Sequence, residues 1–209
     1  MYKNMNTIVK NKNKVLVIAK DVFLKKGIAD VSMTDIAEEA QFGVASIYRY
    51  FGNKNALVVE CAVSLWEERI EKIRKEYQKN SGFSGFEQLK RLTDFFPWLI
   101  VGDKDFSRFL IMFDAFLYGD NITAKERADY ERAMLEIYRM FEAAYNSGLA
   151  DGTVRNIGSF SDFYFACTQS LLSLSQKLTI RGNVLSGDKE HTEKIEMLID
   201  MYTDYIRAK

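Results

Sequence analysis

Proline is almost missing from this 209-residue chain, which has only Pro97. With few alternating β-branched stretches as well, little of the sequence can be strand, and it reads as helix from end to end. Two cysteines, Cys61 and Cys167, stand far apart. They supply neither a disulfide framework nor metal-ligand spacing, which fits a reduced cytosol. The one histidine, His191, begins the last expected helix among Lys189, Glu190 and Glu193. There it reads as a solvated helix-end residue, because no Ser or Cys nucleophile has a matching base and no Gly-rich phosphate loop is present. The expectation is that the chain is not an enzyme and needs no cofactor and no metal. The most apolar stretch, Phe95–Val101, contains Pro97 and falls far short of the ~20 residues that cross a bilayer. No long apolar run follows the N-terminal lysines, so no signal peptide is read. The expected location is cytoplasmic, with no membrane partner.

Net charge is missing too, since 29 Lys/Arg balance 29 Asp/Glu. The balance is uneven along the chain. Residues 1–54 hold nine Lys/Arg (Lys3, Lys10, Lys12, Lys14, Lys20, Lys25, Lys26, Arg49, Lys54) against five Asp/Glu (Asp21, Asp30, Asp35, Glu38, Glu39), or 9 − 5 = +4. The remainder carries 20 − 24 = −4. A phosphate-attracting field therefore belongs to the N-terminal end. Lysines alone would only solvate a helix; their neighbourhood in the chain gives the charge a use.

Residues 32–57 supply that use. Ser32 stands where a helix N-cap belongs and Asp35 follows three residues later, as in a capping box. Met33, Ile36, Ala37 and Ala40 then keep a helical apolar spacing. The helix must stop near Gln41–Gly43, and a second short helix carries Ile47 and Phe51 inward. That leaves Ser46, Tyr48, Arg49 and Tyr50 on or near its outer face. Two short helices joined by a tight turn form a helix-turn-helix, with the second sized for a major groove. Asn53 can cap a further helix, placing Lys54 in its first turn, where a cation and free N–H groups can grip one phosphate.

From about Val15 to Leu57 the chain resembles the DNA-binding region of the tetracycline-repressor (TetR) family of bacterial transcriptional regulators. The resemblance is carried by Ala19, Phe23 and Gly27, by Ser32–Met33 with Asp35–Ile36–Ala37, by Ser46–Ile47–Tyr48 with Tyr50–Phe51, and by Lys54 with Ala56–Leu57. The family usually has Gly where Gln41 stands and Ser or Thr where Gly43 stands. Gly43 is expected to absorb the strain of the turn and to lack a side-chain cap. DNA contacts are expected from Ser32, Thr34, Val44, Ala45, Ser46, Tyr48, Arg49, Tyr50 and Lys54. Thr34, Val44, Ala45 and Tyr48 would touch bases, while Ser46, Tyr48, Tyr50 and Lys54 would hold phosphates.

The expected fold is all-α, with about nine helices. An N-terminal three-helix helix-turn-helix head (1–57) precedes a C-terminal helical-bundle body (58–209) for ligand binding and dimerisation. Helices are expected over Thr7–Lys26, Lys54–Lys79 and Lys104–Tyr118, from Thr123 to Asn146–Gly148, from Asn156–Ser159 to Ile180, and over Lys189–Arg207. Pro97 should kink or end the helix that Ser84 and Glu87 open as a capping box.

Aromatic rings crowd the body. Core packing explains most rings at helical spacing, but a bundle also hosts ligands. The resemblance implies an effector site here, expected from Trp98, Phe109, Met112, Phe113, Phe116, Tyr138, Phe141, Tyr164 and Gln169. No charge stands out in that set, so the effector should be small and apolar. The last two helices carry apolar stripes, Phe163, Cys167, Leu171 and Leu174 on one and Ile195, Leu198, Ile199 and Tyr202 on the other. The resemblance implies a homodimer through them, which lets two short recognition helices read one palindromic double-stranded operator. The reading is a repressor released from DNA by its ligand. The rival is a helical sensor or interaction protein without DNA regulation, and a helical-bundle enzyme comes a distant third.

Overall fold

The computed structural model describes residues 2–79, 82–117, 122–181 and 191–209. Tyr118, Lys189 and Glu190 lie outside the described residues. Among the described residues there are nine α-helices of eight residues or more: α1 Tyr2–Lys26, α2 Met33–Ala40, α3 Val44–Phe51, α4 Lys54–Tyr77, α5 Gly85–Thr93, α6 Lys104–Leu117, α7 Ala124–Asp151, α8 Phe160–Arg181 and α9 His191–Ile206. They contain no strand, only an isolated bridge between Val154 and Arg207. No helix of the described residues is long and apolar enough to cross a membrane.

Local chemistry sets the helix starts. Ser32 Oγ accepts from the Asp35 N–H (3.1 Å) while the Asp35 carboxylate accepts from the Ser32 N–H (2.7 Å). Each satisfies a donor that the helix cannot. Ser84 and Glu87 do the same for α5, and Thr123 and Glu126 for α7. Asn53 Oδ1 accepts from the Ala56 N–H (2.8 Å) to start α4. Gly27 ends α1 with φ +89°, a conformation that only glycine adopts without strain.

Two boundaries differ from expectation for physical reasons. Gly148 does not end α7, which runs on to Asp151. Its missing side chain admits Gly85, the first residue of α5: a Cβ on Gly85 would lie 1.9 Å from the Gly148 nitrogen. Pro97 neither kinks nor simply ends one helix. A single α turn, Phe95–Pro97, is followed by a π-helical turn, Trp98–Gly102.

The chain forms two compact units, each discontinuous in sequence: residues 1–66 with 108–133, and residues 67–107 with 134–209. In the first, Val15, Ala19, Val22 and Phe23 of α1 are buried, as are Met33, Ile36, Ile47 and Phe51 of the helix-turn-helix. Phe109 and Phe113 of α6 are also fully buried in this unit, with Phe113 5.0 Å from the Tyr130 ring. In the second, Leu89, Phe96, Phe141, Tyr145, Phe160, Leu171, Ile195 and Ile199 are buried. Tyr145 stacks on Phe160 at 4.3 Å, and its hydroxyl accepts from the Ile157 N–H. Arg69 is buried in this unit, paired with Asp103 and lying over the Phe106 ring at 3.8 Å.

Candidate nucleic-acid interface and effector region

The turn between α2 and α3 resolves its strain at one residue. Gln41 itself takes the left-handed conformation, with φ 57° and ψ 40°. The expectation that Gly43 absorbs the strain is corrected, because Gly43 is extended (φ −65°, ψ 139°). The Gln41 N–H still finds the carbonyls of Ala37 and Glu38, so the helix end is satisfied. As expected, Gly43 gives α3 no side-chain cap.

With Ile47 and Phe51 buried, α3 turns Val44, Ala45, Tyr48 and Arg49 to solvent. Thr34 and Ser32 are exposed at the start of α2. Ser46 is half-buried. Tyr50 is half-buried too, its ring edge-on to Phe42 and Phe51 at 6.3 and 6.4 Å. The Arg49 guanidinium lies 5.5 Å from that ring. Lys54 is engaged: its ammonium donates to the Ala29 carbonyl at 3.0 Å. Partial burial lowers its pKa, against the pull of Asp30 and Asp35. That bond uses one of the three N–H donors of the ammonium.

The nine residues expected to bind an effector are not brought together in one unit. Phe109, Met112, Phe113 and Phe116 belong to the first unit; Trp98, Tyr138, Phe141, Tyr164 and Gln169 belong to the second. Phe109 and Phe113 are fully buried core rings, while Met112 and Phe116 edge an open cleft of about 540 Å³ with Lys54 and Asp30. Trp98 is exposed, with the Lys72 ammonium 4.8 Å from its ring. Gln169 faces solvent. Tyr138 donates to Glu142 at 2.7 Å, which with desolvation pushes its pKa up to about 12.

Phe141 and Tyr164 do meet. They line an apolar cavity of about 40 Å³ with Phe96, Phe160, Cys167 and Leu171. Burial holds the Tyr164 hydroxyl in its neutral form and raises the Cys167 thiol to about 12. Phe160, Cys167 and Leu171 were not among the expected ligand residues, although they lie on one face of α8. The volume is far below the ~300–1,000 Å³ of small-molecule sites. Admitting a ligand of ordinary size needs the rings to turn.

The expected partner stripe is corrected in part. Cys167, Leu171, Ile195 and Ile199 are buried within their own unit, and Phe163, Leu174, Leu198 and Tyr202 are half-buried. The apolar residues left in solvent are Phe165 on α8 and Met197, Met201 and Tyr205 on α9, between 53 and 65 % exposed. Both faces of α9 are apolar, and the unit's own core has taken the branched one.

A capped helix-turn-helix with one exposed reading face, on an all-helical scaffold, defines the class: a DNA-binding transcriptional regulator. Residues 15–61 match the family model for bacterial regulatory proteins of the tetR family. Solved structures share the fold. The regulator FadR from Bacillus subtilis, in complex with stearoyl-CoA, has a TM-score of 0.71 at 12% identity, covering 92% of this chain and 98% of its own. The fatty acid degradation regulator FadR from Bacillus halodurans scores 0.71 at 13% identity, covering 95% and 97%. A TetR transcription regulator from Haloarcula marismortui scores 0.71 at 14% identity, covering 95% and 99%. No curated protein sequence matches the chain.

Proposed function

We propose that this regulator is a repressor that holds a palindromic operator as a homodimer and is released by a small apolar ligand. The observation that carries the reading is α3 itself, with Ile47 and Phe51 buried behind Val44, Ala45, Tyr48 and Arg49 in solvent. In this reading Thr34, Val44, Ala45 and Tyr48 touch base edges. Ser32, Ser46, Arg49, Tyr50 and Lys54 hold the backbone, fixing register without specifying sequence. Residues 1–57 read DNA, and residues 58–209 sense and dimerise.

The dimer forms through the exposed apolar face of Phe165, Met197, Met201 and Tyr205, since the buried stripe beside it is already used. The effector enters at Phe141 and Tyr164, displacing the rings that close the 40 Å³ cavity. An acyl chain suits that lining, and a regulator of the same fold was solved with stearoyl-CoA. Residues of α4, α6 and α7 fall in both compact units, so an effector that shifts one of these helices can act on DNA affinity through continuous backbone. Coupling of about 1–3 kcal/mol would lower operator affinity about 5- to 150-fold, and DNA would weaken ligand binding equally.

The test is a gel shift on DNA upstream of the protein's own coding region, with and without stearic acid, alongside calorimetry of the same ligand. A retarded complex that dissolves at saturating ligand is expected. Ligand binding that leaves DNA affinity unchanged would overturn the switch. Failure to retard any specific fragment would favour the sensor without DNA regulation.

A further inference from the structure

We propose that the N-terminal part of α1 is a second DNA-contacting surface, gripping the sugar-phosphate backbone beside the recognition helix through Lys10 and Lys14. The proposal rests on the DNA-binding reading above. Residues 2–14 of α1 precede the segment that matches the family model, which starts at Val15.

The lysines of α1 divide into two sets. Lys12 donates to Glu60 at 2.8 Å and lies 5.1 Å from the Phe51 ring, and Lys20 reaches Ser64 at 3.4 Å. These two tie α1 to α4 within the first unit. Lys10 and Lys14 are exposed and have no ion-pair partner among the described residues. With Asn6 and Asn13 they occupy one helical face at i, i+4, i+7 and i+8.

That face forms one wall of an open cleft of about 930 Å³, whose other wall is Ala40, Gln41 and Phe42. No acidic residue lines it. The second wall ends immediately before Gly43, the N-cap of α3. A recognition helix enters the major groove by its N-terminal residues, so whatever flanks Gly43 stands next to the duplex backbone. The lining mixes cations and amides with Val9, Val17 and Phe42, as a duplex backbone alternates phosphates with apolar deoxyribose faces. The lysines therefore add anchoring without adding sequence information.

The experiment measures fluorescence anisotropy of a labelled 30-base-pair duplex of scrambled sequence with the full chain, from 50 to 200 mM salt. The variants are Lys10→Ala/Lys14→Ala, Lys10→Arg/Lys14→Arg and, as reference, Lys54→Ala. Each lost phosphate contact flattens the salt slope by ~0.9, so the double alanine variant should lose about 1.8 per protomer. At 0.1 M salt its affinity should fall by a factor of several tens for each protomer bound, on the same relation. The double arginine variant should keep both slope and affinity, because it keeps the charge. An alanine variant with unchanged slope, while Lys54→Ala lowers it, overturns the proposal and leaves the helix-turn-helix reading standing. An affinity loss at unchanged slope overturns it too, since the contact would not be ionic. Wild-type protein that binds no duplex even at 50 mM salt overturns both readings.

Discussion

Gly85→Ala should be among the most damaging single-methyl changes in the second unit. An added Cβ would lie 1.9 Å from the Gly148 nitrogen, 2.2 Å from its Cα and 2.6 Å from the Ser147 carbonyl carbon. All three are backbone atoms, so no side chain can swing aside. Restoring ordinary contact near 3.4 Å requires α5 and α7 to part by about 1.5 Å, in a core that resists such shifts. Two hydrogen bonds span this gap: Gly85 N–H to Asp151 Oδ2 at 2.7 Å and Phe86 N–H to Thr153 Oγ1 at 3.1 Å. Lengthened by an ångström or more, neither survives. Overpacking costs ~1–3 kcal/mol, and the two bonds, one to a carboxylate, add ~2–4 kcal/mol. Loss of glycine's flexibility in the unfolded chain returns ~0.4–1 kcal/mol. The net expectation is about 2–6 kcal/mol of destabilisation, read as a lower urea midpoint by far-ultraviolet circular dichroism. A loss under about 1 kcal/mol would refute the close approach of these two helices.

Gly43→Ser should stabilise the first unit by about 0.5–1 kcal/mol, because Gly43 is extended with open space around its Cα and α3 lacks a side-chain cap; an unchanged or lower melting temperature would count against the cap geometry. Hydrogen bonds from Ser32, Ser84 and Thr153 hold the carboxyls of Asp35, Glu87 and Asp151 below their ordinary pKa values. Folded values below unfolded ones mean stability present above pH ~4 and lost as pH falls through the folded values. Thermal melts from pH 6 to 3 should therefore fall steeply in wild type and less steeply in Asp35→Asn; equal slopes would remove Asp35 from the effect. Met201→Asp should yield a folded monomer where wild type sediments as a dimer at micromolar concentration, since it places an unpaired charge in the proposed interface. A wild-type monomer would contradict that interface.

The features legible in the sequence were local. Ser32–Asp35, Ser84–Glu87, Thr123–Glu126 and Asn53 announce helix starts because capping needs only residues three apart. The burial of Met33, Ile36, Ile47 and Phe51 comes from one short amphipathic period. The illegible features depended on choosing between faces. In α9 the stripe of Ile195 and Ile199 and the stripe of Met197, Met201 and Tyr205 are both apolar, and periodicity does not say which one the unit's own core takes. The aromatic set misled for a similar reason: Phe109 and Phe113 look like pocket rings in sequence, yet they are fully buried in a different compact unit from Phe141 and Tyr164. Gly148 read as a helix stop because glycine often serves as one; its use as a contact surface depends on Gly85, 63 residues away in sequence (148 − 85).

Recognition of a specific sequence by α3 is tested most directly by selecting bound duplexes from a random pool with wild-type protein and with Tyr48→Ala. Wild type should enrich a two-fold symmetric site whose half-sites are centred about one helical turn, ~34 Å, or somewhat more apart. Tyr48→Ala should enrich a site degenerate at one position in each half or fail to enrich any. Folded wild-type protein that enriches no sequence over the input pool would contradict DNA reading by α3.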